Sequence, residues 1–365
     1  MSRSGSPDKI RSQVNSKKIF AALLVVAGSA ILSQGCSSED ARTQPRTSGT
    51  SGLVFTADEQ GNSISVINLR TSKVETTPIP VSPHNVQTSR DGRTLFAVGS
   101  SAGEGGNMAK AMDGPGRLLG FDATAVSRGP ILEMAVGREP AHVIVDPQGT
   151  RAFVTNGGDN TISVIDLALR QIVKSIAVGK SPHGLRMSPD GGTIYVANTG
   201  EGNVSVINVQ NLIEIDRIPV GKAPVQVGFT PDGRLCYVSL RDENSVAVID
   251  TASRRMIAKV SVGPSPIQVF ALPNGREVYV ANQGTEAAAG NTVSVIDMAR
   301  QKVIATIITG AGAHGVVVSS SGDRVLISNT FANTVSVIDP VSRKVVGSVP
   351  VGPDPGGITF AAAKN

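Results

Sequence analysis

The sequence predicts an all-β chain, a seven-bladed β-propeller of four-stranded antiparallel blades, on three observations. A four-residue phrase recurs seven times: Ser65-Val-Ile-Asn68, Leu119-Gly-Phe-Asp122, Ser163-Val-Ile-Asp166, Ser205-Val-Ile-Asn208, Ala247-Val-Ile-Asp250, Ser294-Val-Ile-Asp297 and Ser336-Val-Ile-Asp339. Successive copies end 54, 44, 42, 42, 47 and 42 residues apart, and a period near 42 in strand-like sequence marks one small sheet repeated around a ring. Val, Ile, Gly and Ala dominate while Trp is absent, which suits short strands joined by tight turns. Finally, the repeat begins out of phase, at a second strand, and ends on a first strand, as a ring sealed by its own ends requires.

The N-terminal 35 residues read as an export signal. Arg3, Lys9, Arg11, Lys17 and Lys18 precede Ile19 to Leu32, a 14-residue stretch without charge that is short for a membrane span. Small residues then lead to Cys36. A cysteine so placed resembles the lipidation site of bacterial lipoproteins, although Ser33 stands three residues before it where that pattern carries Leu, Val or Ile. Residues 36–52 are polar and without hydrophobic anchors, the composition of a disordered tether. Removing residues 1–35 leaves 29 basic and 28 acidic side chains, a net charge of +1, so the basic pI belongs to the targeting segment and gives no support for a nucleic-acid partner.

The propeller is expected over residues 53–365. One blade reads clearly. Pro182 to Met187 is a first strand and Ser188-Pro-Asp-Gly191 a hairpin turn. Thr193 to Ala197, Val204 to Asn208 and Glu214 to Pro219 are the remaining strands. A bulky apolar residue marks each second strand: Phe55, Phe96, Phe153, Tyr195, Tyr237, Tyr279 and Leu326. Bulk repeated at one depth predicts packing between blades. Cys236, in Leu235-Cys-Tyr-Val238, is expected to be a small buried hydrophobe. Closure should combine Pro355 to Phe360 with the three N-terminal strands that begin at Leu53.

Phe153-Val-Thr-Asn156, Tyr195-Val-Ala-Asn198 and Tyr279-Val-Ala-Asn282, each followed by an Asn-X-Val-Ser-Val-Ile-Asp-like phrase and Val-Gly-x-x-Pro, resemble the YVTN-repeat β-propeller family, which includes YncE-like exported bacterial proteins. The resemblance covers nearly all of residues 53–360. It implies the fold and an exported or surface location, and it selects no activity. Similar propellers include lactonases and the metal- or haem-bearing domains of denitrification enzymes.

In a propeller the loops joining second to third strands share a face with those joining fourth to first strands. Both insertions of the repeat fall on that face: Ser100 to Arg117, with Met108, Lys110, Met112 and Asp113, and Gly284 to Asn291. The binding face is therefore expected there. His84, His183 and His314 occupy one aligned position at the start of a first strand, and His142 the next. Clustered at the channel mouth, imidazoles can hold a transition metal. Against this, Ala141, Val225, Ile267 and Gly356 fill the same slot, the slot shares parity with an apolar row, and residues two and three blades apart are expected to lie too far apart for one ion. No cofactor is assigned, and His84, His183 and His314 are the metal candidates. Arg138, Lys180 and Lys222 align in loops entering three consecutive blades and, with Arg186, form a basic arc suited to an anion. Glu139 and Asp232 are the acids expected to offset it. Gln226 and Gln268, with Asn85, Gln87 and Thr359, are expected to line a polar channel.

The chain carries no Cys-x-x-Cys-His, no phosphate-binding Gly-x-x-x-x-Gly-Lys-Ser/Thr and no Gly-x-Ser-x-Gly. The reading is an exported, monomeric, lipid-anchored binding module rather than an enzyme. Its partner is a protein, a glycan or a small anionic ligand at the long-loop mouth. The alternatives are a lactonase-like hydrolase or a metal-dependent oxidoreductase using the same mouth. Single-stranded DNA binding, which the resemblance also suggests, is disfavoured by the near-neutral charge and few aromatics.

Overall fold

The computed structural model describes residues 50–101 and 114–363. The signal, Cys36, most of the tether and the Met108–Asp113 stretch lie outside the described residues. Among the described residues twenty-eight strands, β1 to β28 in chain order, form seven four-stranded antiparallel sheets. Blade 1 has the strand order β28-β1-β2-β3, and blades 2 to 7 take four consecutive strands each, β4–β7 through β24–β27. The fold is the seven-bladed propeller expected. Strand β28 (Pro355–Ala362) pairs with β1 (Gly52–Asp58), so the C-terminal strand completes the N-terminal blade through backbone hydrogen bonds.

The marker residues of the second strands, Phe55 through Leu326, are all buried. They contribute to a chain of apolar clusters, most of which span adjacent blades. Outermost strands such as β11 (Gln171–Ala177) are largely exposed. Cys236 is fully buried as expected, and burial pushes its thiol pKa well up, which keeps it unreactive. The second insertion is no loose loop: β21 (Glu277–Gly284) and β22 (Ala289–Asp297) extend the blade 6 hairpin through it.

The innermost strands set the channel: β4 (Val81–Thr88), β8 (Pro140–Val145), β12 (Pro182–Met187), β16 (Pro224–Phe229), β20 (Pro266–Ala271), β24 (Ala313–Val318) and β28. Every one of them slips register just after its first residues, for example between Pro182↔Asn198 and Leu185↔Val196. Such a bulge adds one residue and re-aims side chains. It also frees a backbone N–H, which a hydroxyl recovers in three blades. Thr155 accepts from the His142 N–H and donates to the His183 carbonyl of the next blade. Ser239 and Ser328 repeat this between Gln226 and Ile267, and between Gly315 and Gly356.

Candidate functional site

The bulges fall on the histidine positions, and this is why the expected parity fails. His84 and His183 sit one residue past the proline of the repeat and His142 sits two past it, yet all three imidazoles reach one spot. Their ligand nitrogens lie within 4.8 Å of one another. His84 Nε2 and His183 Nε2 are 3.1 Å apart, with ring centroids at 5.0 Å; His142 and His183 are also 5.0 Å apart between centroids. The expectation that residues two blades apart are too distant is thus corrected. The ring mouth is narrow because glycines let inner strands approach. A Cβ on Gly184 would stand 2.3 Å from Gln226 Oε1 and 2.5 Å from the Val225 carbonyl, and one on Gly357 would stand 2.7 Å from Asn85 Cα.

The trio also differs from the expected one. His142, buried to 2% exposure, joins His84 and His183, whereas His314 in blade 7 lies outside the cluster, with Nδ1 3.3 Å from Gln283 Nε2. Each clustered ring has its Nδ1 engaged from outside: His84 by Glu59 Oε2 at 3.3 Å, His183 by the Val225 carbonyl at 3.2 Å, His142 by Gln226 Nε2 at 3.4 Å. Outer partners of this kind fix ring orientation and tautomer. His183 must donate from Nδ1 to the Val225 carbonyl, which leaves its Nε2 as an acceptor. The facing His84 Nε2 then carries a proton, as does the His84 Nδ1 on Glu59. His84 is therefore an imidazolium.

The electrostatics agree. Burial opposes charge on His84, but Glu59 and Asp354 outweigh it and hold its pKa above the usual histidine value. Burial first, then the neighbouring histidines, takes His142 well below that value and His183 down to about 3. Burial and His84 bring His314 to about 4. Partial burial of Glu59 opposes its charge, yet His84 draws its pKa below the normal carboxylate value. The shifts thus favour the proton on His84, beside the Glu59 carboxylate, over the other three imidazoles.

Within the basic arc, Arg138 Nε is 2.7 Å from Asp159 Oδ1, whereas at Lys180 and Lys222 it is the backbone N–H that Glu201 and Glu243 accept from, and those two carboxylates form ion pairs with Arg217 and Lys259. Asp159, Glu201 and Glu243 align, 21 residues after each basic residue, where Glu139 and Asp232 were expected to make contact. Asp232 instead caps its own hairpin, accepting from Thr230 Oγ1 and the Arg234 N–H. Arg186 is not on this rim; it lies three residues down β12 from His183, and it lines a cavity deeper in the channel. Gln226 and Gln268 are buried and serve the ring itself, accepting from the Val227 and Val316 N–H groups.

Glu59 and Gln283 escaped the sequence reading. Both follow the same aligned position of a second strand, Asp58 in β1 and Asn282 in β21, so they occupy one repeat slot. A long polar side chain there, on the loop face beside a first-strand histidine, was the available signal.

Fold and mouth define a seven-bladed β-propeller with a histidine-lined channel entrance. A family model described as a lactonase with a seven-bladed β-propeller matches residues 117–257, and one for the cytochrome D1 haem domain matches residues 233–359. No curated protein matches the chain. Among solved structures, Kuenenia stuttgartiensis hydrazine synthase is similar at 23% identity, covering 79% of this chain and 97% of that one with a TM-score of 0.66. A 6-phosphogluconolactonase candidate from Bacteroides fragilis shares 15% identity over 87% of this chain and all of that one, with a TM-score of 0.68. The dihydro-haem d1 dehydrogenase NirN shares 14% over 87% and 77%, with a TM-score of 0.62. At these identities the likeness is one of fold.

Proposed function

We propose that this chain is an exported propeller module that binds a transition-metal ion at its long-loop mouth, through His84, His142 and His183, and is held at a membrane through Cys36. The observation that carries the reading is the convergence of three imidazoles from three consecutive blades, each oriented from its Nδ1 side. Imidazole donors suit zinc, copper and nickel, and three of them leave room for a further small ligand on the ion. A bound ion would supply Lewis acidity at that position. Glu59 would hold the His84 ring and balance charge, and the Val225 carbonyl would hold His183. A haem does not fit the described residues, because the imidazole nitrogens face one another across 3.1 Å rather than an open slot.

The test is elemental analysis and zinc or copper titration of protein purified without a histidine tag. One ion per chain, lost in His183→Ala and in His84→Ala with the fold retained, is the expected result. Substoichiometric metal that survives either substitution would overturn the reading. A second reading, hydrolysis of sugar lactones at the same mouth, has in its favour the lactonase-model match over residues 117–257. Turnover of a lactone that stops on chelation would establish it alongside the metal site.

A further inference from the structure

The channel has a second end, and its chemistry differs. Four residues past the strand-opening position, the inner strands contribute Gln87, Ile144, Arg186, Gly228, Phe270, Val317 and Thr359, one from each blade. Six of the seven line a cavity of about 340 Å³, and Gly228 lines an adjoining one of about 290 Å³ that shares Arg186 and Phe270. The wall of the first is mixed, with Val145, Met187, Val318, Ile358 and Phe360 beside the hydroxyls of Thr88 and Ser320, and that of the adjoining one, around Phe229, Val269 and Pro273, is mainly apolar. Arg186 is the one ionisable group in either lining.

Its guanidinium is under-used. It is half-buried, donates from Nη1 to the neighbouring Leu185 carbonyl at 3.2 Å, and pairs with no carboxylate among the described residues. Burial alone lowers its pKa, to about 10, with no acid nearby to offset it. Removing a guanidinium from bulk water without an anionic partner is costly. Arg138 on the opposite rim, by contrast, is paired with Asp159. A cavity that joins apolar wall segments to a single convergent cation suits a small organic anion.

We propose that the hairpin end of the channel binds a small organic monocarboxylate with an apolar body, its carboxylate on the Arg186 guanidinium and its body against Phe270, Ile144, Val317 and Ile358. The single charge sets the class. A phosphate dianion would call for a second cation, and neither lining supplies one. The planar fork of arginine matches a carboxylate with two parallel hydrogen bonds. Gln87, Thr88 and Thr359 are the groups available to a polar substituent on the ligand. The site stands about 10 Å along β12 from His183, so it is separate from the metal mouth and does not depend on it.

Fluorine NMR of 4-fluorobenzoate with the full-length protein tests this, with 4-fluorobenzamide as the uncharged isostere. The benzoate should bind at millimolar concentration or below. The amide should bind at least about tenfold more weakly, the discrimination expected for a charge-assisted contact. Arg186→Met should reduce benzoate affinity to that of the amide, Arg186→Lys should fall between, and His183→Ala should leave it unchanged. Equal binding of acid and amide to the wild-type protein, or no binding of the acid, would overturn the proposal without recourse to any variant. Wild-type affinity in a folded Arg186→Met would do the same.

Discussion

Asp58 is the acid that the repeat itself marks as out of place. It ends β1, the position that carries Asn156, Asn198, Asn282 and Asn329 in blades 3, 4, 6 and 7. Those asparagines donate from Nδ2 to hydroxyls on the third strand, Asn156 to Thr161 and Ser163, Asn198 to Ser205, Asn282 to Thr292 and Ser294, Asn329 to Thr334 and Ser336. Asp58 is fully buried and takes hydrogen bonds from Thr56, Ser63 and Ser65 instead. Burial outweighs these bonds and raises its pKa from 3.8 to about 6. At about 1.4 kcal/mol per pH unit, that separation costs the folded state about 3 kcal/mol at neutral pH. The sign is fixed by linkage. The folded chain holds the proton more tightly than the unfolded one, so the cost is full above the folded value and gone below the unfolded value. Asp58→Asn should therefore stabilise the protein by about 3 kcal/mol at pH 7.5, with the gain shrinking as pH falls through 6 and absent near pH 4. At about 2 °C per kcal/mol for a body of this size, the melting temperature should rise by about 6 °C at pH 7.5. Urea unfolding of both proteins at pH 7.5, 5.5 and 4 measures this. A neutral or destabilising substitution at pH 7.5, or a gain that does not vary with pH, would refute the reasoning.

Two further outcomes follow from the packing. Gly184→Ala places a methyl 2.5 Å from the Val225 carbonyl, which is backbone and cannot turn aside. It should cost about 1–3 kcal/mol in urea unfolding and weaken zinc or copper binding, because that carbonyl orients His183; unchanged stability and affinity would refute the close approach. Ending the chain before Pro355 removes β28 and strips β1 of its inner partner. The truncated protein should lose cooperative unfolding, read by circular dichroism and limited proteolysis, and a wild-type melt would show that closure is not needed.

The ring was legible because it is written seven times. Any one Ser-Val-Ile-Asp phrase is weak, but seven at nearly constant spacing, with Phe55 through Leu326 in step, leave little freedom in architecture. The site was legible only in part. Aligning His84, His183 and His314 in one slot located the mouth, but a strict two-residue period assigned them to the apolar row and left His142 apart. A one-residue bulge leaves no mark of its own in the amino-acid order here; it shows only in the pairing of Pro182 with Asn198 and Leu185 with Val196. The width of the mouth was hidden for a related reason. It depends on Gly184, Gly315 and Gly357 lying close against the neighbouring blade, contacts between residues about 42 apart in sequence for the first two and, for Gly357 against Asn85, across the closure of the ring.

Seven inner strands running in the same sense stack their residues into rings, one ring for each position, so a single substitution changes one-seventh of a ring. The ring holding His84 and His183 also holds Ala141, Val225, Ile267 and Gly356, and the ring holding Arg186 holds only neutral residues. Chemistry in this protein is therefore asymmetric within a symmetric frame. The three imidazoles gather on blades 2, 3 and 4, and the guanidinium projects from blade 4 alone. Blade 4 contributes to both ends through one strand, with His183 held by the Val225 carbonyl and Arg186 held by nothing but its neighbour's carbonyl. Repeat packing accounts for the residues that recur, such as the asparagines and the second-strand aromatics. It does not account for residues that break the repeat and lie in the channel, and in β12 these are the two side chains to which the metal and carboxylate readings attach.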